Sequence, residues 1–171
     1  MATSRRGRTS CSPRVEIPYP ASSWKIADNA QLILFLDTSA LVKLYIAEAD
    51  SPAVHASVAR AETVAVCRIA WAEACAALAR RAREVPADEA AIIAARQALA
   101  RDWPHFFIVE VTQSVVERAG EFADTFALRS YDSVQLAAAC EILSAAPSEV
   151  AFSCFDNRLN KAARVLGLDV T

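Results

Sequence analysis

Four acids hold the positions from which this sequence could do chemistry: Asp37, Glu73, Asp132 and Asp156. Asp37 closes the apolar run Leu32-Ile33-Leu34-Phe35-Leu36. Such a continuous run predicts a strand buried on both faces. Asp156 follows a similar run, Val150-Ala151-Phe152-Ser153-Cys154. Glu73 falls early in the helix expected after a strand at Thr63–Cys67, and its helical neighbours Ile69, Ala76 and Ala77 are apolar. A carboxylate on such a face is costly unless it is paired or bound to metal. Asp132 sits in the first turn of a helix that opens at Ser130. There the helix dipole is expected to lower its pKa and keep it ionised. Each acid has a plainer reading as well. Asp37 and Asp156 would cap helices, Asp132 would be an ordinary first-turn acid, and Glu73 a partly exposed helix acid.

Taken together, the four lie at strand ends or early in helices, where an open α/β sheet presents its ligand edge. Clustered carboxylates without His or Cys favour a hard cation with oxygen ligands, Mg²⁺ or alternatively Mn²⁺. Such an ion activates a water and neutralises charge at a phosphoryl centre, which points to metal-assisted phosphodiester hydrolysis. The rest of the composition narrows the choice. The 171 residues contain three glycines, Gly7, Gly120 and Gly167, so neither a P-loop nor a G-x-G-x-x-G turn can be built. Two histidines, His55 and His105, leave no His-rich zinc site.

The elements that must position these acids alternate along the chain. Strands are predicted over 32–36, 63–67, 106–111 and 150–154, with a short last strand over 168–170. Helices are predicted over 39–47, from Ser51, and over 70–84, 87–101, 113–127, 130–144 and 157–166, with Gly167 in the C′ position. Apolar strands alternating with helices predict an α/β fold, a mainly parallel sheet with helices on both faces. Residues 1–30 are polar and proline-containing and are expected to be an irregular, flexible extension to a domain spanning 31–171. They carry a net charge of +3, from Arg5, Arg6, Arg8, Arg14 and Lys25 against Glu16 and Asp28, within a chain of net charge −2. No secretory signal and no membrane span are expected. The five cysteines, odd in number and without a C-x-x-C, read as buried thiols in a reducing, cytoplasmic compartment.

Four blocks of the sequence resemble the PIN-domain ribonucleases, in particular the VapC-type toxins. They are Leu36-Asp37-Thr38-Ser39-Ala40-Leu41-Val42-Lys43-Leu44-Tyr45; Trp71-Ala72-Glu73; Leu128 to Ala139 around Asp132; and Phe155-Asp156-Asn157-Arg158-Leu159-Asn160-Lys161-Ala162-Ala163 with Leu166-Gly167-Leu168. The resemblance implies a three-layer α/β/α sandwich and a Mg²⁺-dependent ribonuclease. It also implies a toxin whose cognate antitoxin protein sequesters it, and a homodimer. By position, Asp37 and Asp132 would be the main metal ligands, Glu73 would complete the site directly or through water, and Asp156 would support a second-metal side. Ser39 would hydrogen-bond within the pocket. Family members often carry Ser or Thr two residues before the last Asp, where this chain has Cys154. RNA requires positive charge around such a pocket. The candidates are Lys43, Arg68, Arg129, Arg158 and Lys161, each weighed against an ordinary solvated charge. The helical hairpin over 70–101 offers Ile92, Ile93, Leu99 and Trp103 as contacts for an antitoxin or a second subunit, against plain core packing. Two other classes compete: a phosphate-handling domain such as a phosphatase or receiver, and a catalytically silent binding module whose acids only cap helices. A phosphatase of the haloacid-dehalogenase kind would want Asp at position 39, which is Ser.

Overall fold

Alternation within the first strand decides how the layers are built. In a computed structural model that describes residues 32–145 and 149–171, Ile33–Leu36 forms strand β1. Phe35 points to one face of the sheet and Leu34 and Leu36 to the other, and all three are essentially inaccessible to water. The strand therefore has to be covered on both sides, which is why its sequence is apolar throughout. The extension expected over 1–30 lies outside the described residues.

Helix α1 (Thr38–Val42) and helix α2 (Ser51–Arg60) lead to β2 (Thr63–Cys67), then α3 (Ala70–Glu84) and α4 (Glu89–Asp102). Strand β3 (Phe107–Val109) is followed by α5 (Gln113–Phe126), α6 (Ser130–Ala145), β4 (Val150–Ser153), α7 (Asn157–Val165) and β5 (Asp169–Val170). All four pairings are parallel, in the order β3-β2-β1-β4-β5. One face carries a core of Leu34, Leu36, Leu41, Val54, Leu78, Ile92 and Leu99 beneath α1 to α4. The other holds Phe35 stacked on Phe152, with Val115, Leu136 and Leu159 beneath α5 to α7. This is the α/β/α sandwich expected from the sequence. No described helix is long and apolar enough to cross a membrane.

Local chemistry sets the boundaries that differ from expectation. Helix α1 ends at Val42, not at 47, because Ser51 Oγ accepts from Glu48 N and donates to Ile46 O, folding the chain into a loop instead. Pro86 opens a short 3₁₀ turn, so α4 starts at Glu89. Gly167, at φ +88°, ends α7 as expected, with Gly167 N–H donating to Arg164 O and Leu168 N–H to Ala163 O. In the α3–α4 hairpin, plain core packing accounts for most of the four apolar residues named. Ile92 and Leu99 are buried against α3, and Trp103 is half-buried between Trp71 and Phe106, leaving only Ile93 of that set exposed.

Candidate active site

The strand order reverses at β1, with β2 on one side of it and β4 on the other. That switch point opens a crevice at the carboxyl ends of the strands. Asp37 immediately follows β1 there and caps α1, its Oδ2 accepting from Ser39 N (3.0 Å) and Ser39 Oγ (2.6 Å). It is only 7% exposed. Asp156 caps α7 with Oδ1, which accepts from Arg158 N (2.8 Å) and Leu159 N (2.9 Å), and it is exposed. Ser39 joins the two turns, because its Oγ also accepts from Phe155 N at 3.0 Å.

Glu73 projects from the first turn of α3 and is held through Oε2, which accepts from Thr38 Oγ1 (2.7 Å) and Gln135 Nε2 (2.6 Å). Its second oxygen stays outside those bonds. Burial holds its carboxyl above the usual range; the two hydrogen bonds oppose this, and the charges of Asp37 and Asp132 add to it. Asp132, in the first turn of α6, is also held above its ordinary value, first by burial and then by the charges of Asp37 and Asp156, with Arg129 opposing. This reverses the lowering expected from the helix terminus. The dipole is outweighed because the fold buries the carboxyl and, second, brings two further carboxylates close to it.

None of the four acids forms an ion pair with a described residue, whereas Glu48, Asp50, Glu110, Glu84, Asp88, Asp102 and Glu141 all do. Mutual repulsion with no ion-pair partner among the described residues is what an oxygen-liganded metal ion would relieve. Among the described residues, no three His, Cys, Asp or Glu side chains are already gathered closely enough to ligate one ion. The all-oxygen donors are of the type that suits a hard cation such as Mg²⁺, which keeps several waters and takes few direct protein ligands.

The expected supporting residues fall into distinct surroundings. Lys43 Nζ is bonded to Glu48 at 2.5 Å, lies 3.5 Å from Asp50 and sits 4.6 Å above the Phe155 ring; the bond to Glu48 chiefly raises its pKa. Arg68 pairs with Glu110 beside β3, and Arg158 donates to Ala127 O at 2.8 Å. Arg129, Arg158 and Lys161 are exposed. Cys154 fills the place of the usual hydroxyl: its Sγ accepts from Asp156 N at 3.2 Å and lies 3.8 Å from Ser39 Oγ. Burial and then the Asp37 charge push the thiol up to about 12, so it stays protonated.

Two residues escaped the sequence reading, Thr38 and Gln135. Thr38 bridges Glu73 and Gln135, whose Nε2 donates to Thr38 Oγ1 at 2.8 Å. Gln135 is 1% exposed, and its Oε1 has no partner among the described residues. The amide must turn its nitrogen inward, because an ionised Glu73 can only accept. Position i+3 from Asp132 on the same helix was the available signal.

The PIN-domain family model matches residues 34–165. Two curated relatives from Mycobacterium tuberculosis, ribonuclease VapC45 of strain CDC 1551 / Oshkosh and ribonuclease VapC49 of strain H37Rv, are each 32% identical over 142 residues. That alignment covers 81% of this chain and 94% of each relative. The fold also resembles M. tuberculosis VapC20, described as a sarcin–ricin loop cleaving toxin, with TM-score 0.57 and 20% identity over 75% of this chain and 94% of that one. A toxin–antitoxin complex from Klebsiella pneumoniae gives TM-score 0.52 and 18% identity over 72% of this chain and 86% of that one.

Proposed function

The chain belongs to the PIN-domain family, and from that premise we propose that it is the ribonuclease toxin of a toxin–antitoxin pair, hydrolysing RNA phosphodiester bonds at the four-carboxylate crevice. What supports the reading is the electrostatic coupling of the four acids at the switch point of a parallel sheet, Asp37 and Asp132 acting on Glu73 and Asp37 and Asp156 on Asp132, with none of them in an ion pair with a described residue. VapC ribonucleases depend on a divalent ion, and the hard oxygen donors here favour Mg²⁺, with Mn²⁺ as its substitute. Asp37 and Asp132 would hold it, with Glu73 completing the site directly or through water and Asp156 on the side of a second ion. Bound there, such an ion would supply an acidified water and neutralise charge gathering on the phosphate.

The protein's own residues do the positioning. Ser39 fixes the Asp37 carboxylate and ties the Asp156 turn to it. Thr38 and Gln135 fix one oxygen of Glu73 and leave the other outside those bonds. Arg129, Arg158 and Lys161 lie near these acids in sequence and offer exposed positive charge to RNA phosphates. An antitoxin protein is the expected partner, with a homodimer as the proposed assembly and the cytoplasm as the site of action. Helix capping alone explains Asp37 and Asp156 but gives no reason for Glu73, which is half-buried and caps nothing, so the silent-module reading is weaker. The test is cleavage of total RNA by antitoxin-free protein. Activity should require Mg²⁺ or Mn²⁺ and stop with EDTA; cleavage unaffected by EDTA would refute the metal site.

A further inference from the structure

The aromatic side chains of the described residues divide sharply. Phe35 stacks on Phe152, Trp71 meets Trp103 and Trp103 meets Phe106, and Phe122 meets Phe126. Among the described Phe, Tyr and Trp residues, only Tyr131 and Phe155 are exposed, at 56% and 41%. Neither takes part in any of those ring pairs. Each stands one residue before a crevice carboxylate, Tyr131 before Asp132 and Phe155 before Asp156. Both sit on fixed backbone. Tyr131 is in the first turn of α6, and Phe155 N–H is held by Ser39 Oγ. The ammonium of Lys43, itself paired with Glu48 and Asp50, lies over the Phe155 ring.

Exposed aromatics outside any ring pair are unfavourable in water, and two of them next in sequence to carboxylates of a phosphodiester-cleaving site have a specific use. A base has a π-face whatever its identity, and ring stacking holds unpaired bases without reading them by hydrogen bonds. We propose that Tyr131 and Phe155 are stacking platforms for bases of the nucleotides that flank the scissile phosphate. The inference rests on the ribonuclease reading and names how its substrate is held. Double-stranded RNA keeps its bases stacked on each other and offers these rings nothing.

The test is fluorescence anisotropy on the full chain carrying Asp37→Asn, so that the probe stays intact. One probe is a single-stranded 12-nucleotide RNA of random sequence, and the other is a ribose-phosphate oligomer of the same length without bases. Tyr131→Ala and Phe155→Ala should each weaken binding of the RNA about 5- to 150-fold. Both should leave binding of the base-free oligomer within about twofold, since its phosphates are still met by the same cations. Tyr131→Phe and Phe155→Trp should restore RNA binding, and Phe155→Leu should not. Equal losses on both probes would overturn the proposal, because a folding or phosphate-contact role predicts them. Unchanged RNA binding would also overturn it, including where only binding of the antitoxin weakens, since the rings would then be a protein contact. If the parent binds neither probe, the ribonuclease reading itself fails and takes the platforms with it.

Discussion

The turn after β1 and the turn after β4 both place an aspartate where its carboxylate caps the next helix, yet the two acids live in different surroundings. Asp37 is almost fully buried, takes a side-chain bond from Ser39 as well as a backbone one, and its charge acts on both Glu73 and Asp132. Asp156 is exposed, bonds only to backbone amides of its own helix, and acts on Asp132 alone of the two. Capping is thus a local motif that recurs at both junctions, whereas the central position in the sheet decides which cap becomes the hub of the carboxylates. β1 is flanked by β2 and β4, so its carboxyl end meets side chains from α3 and α6, while β4 ends one strand from the sheet edge.

The comparison is broken or sharpened most strongly by cleavage. Asp37→Asn keeps an oxygen to accept from Ser39 but removes the central charge, and should cost about 10²–10³-fold or more in kcat with Mg²⁺. Asp156→Asn retains the cap and should cost clearly less, about tenfold, with melting temperature unchanged. Equal losses in the two variants would mean that the hub is shared between the junctions.

The next effect in size falls on stability. Ser39 Oγ links the two turns, donating to Asp37 and accepting from Phe155 N–H. Ser39→Ala leaves that amide and a buried carboxylate short of a partner. That should cost about 1–3 kcal/mol, or roughly 2–10 °C in Tm by calorimetry. Asp156→Ala, which loses only a cap, should cost about 0.5–2 kcal/mol. If Ser39→Ala melts with the parent, the link carries no load and the turns are held by their helices.

Much of this arrangement is legible in the residues themselves. The apolar runs ending at Leu36 and Ser153 announce buried parallel strands, and an acid after each announces the ligand edge. What one sequence hides is whatever depends on approach across the fold. Gln135 lies in Val134-Gln135-Leu136-Ala137, where a single polar residue in an apolar helix gives no sign that it reaches Glu73, 62 positions away. Ile92 and Leu99 follow helical spacing equally well as a core face or an outer one, and only the packing of α4 on α3 decides for the core. Asp132 misleads for the same reason: its helix position is local and its neighbouring charges are not.

That misreading yields the smallest test. With the Asp132 carboxyl raised in the folded metal-free protein, the folded state binds the proton more tightly than the unfolded one. Stability therefore falls as pH rises from the ordinary value of 3.8 up through the folded value. The carboxylate is only half-buried, so solvent screens much of the effect. Asp132→Asn should raise the metal-free Tm at neutral pH by about 1–2 °C, and the gain should vanish at pH 3, where the wild-type carboxyl is protonated. Asp156→Asn removes the same formal charge from the neighbouring turn, but at an exposed cap, and relieves Asp132 only in part, so it should give a smaller gain than Asp132→Asn. A gain from Asp156→Asn as large as that from Asp132→Asn would show that bulk charge, not crowding in the crevice, sets the repulsion. The two junctions would then differ in exposure alone.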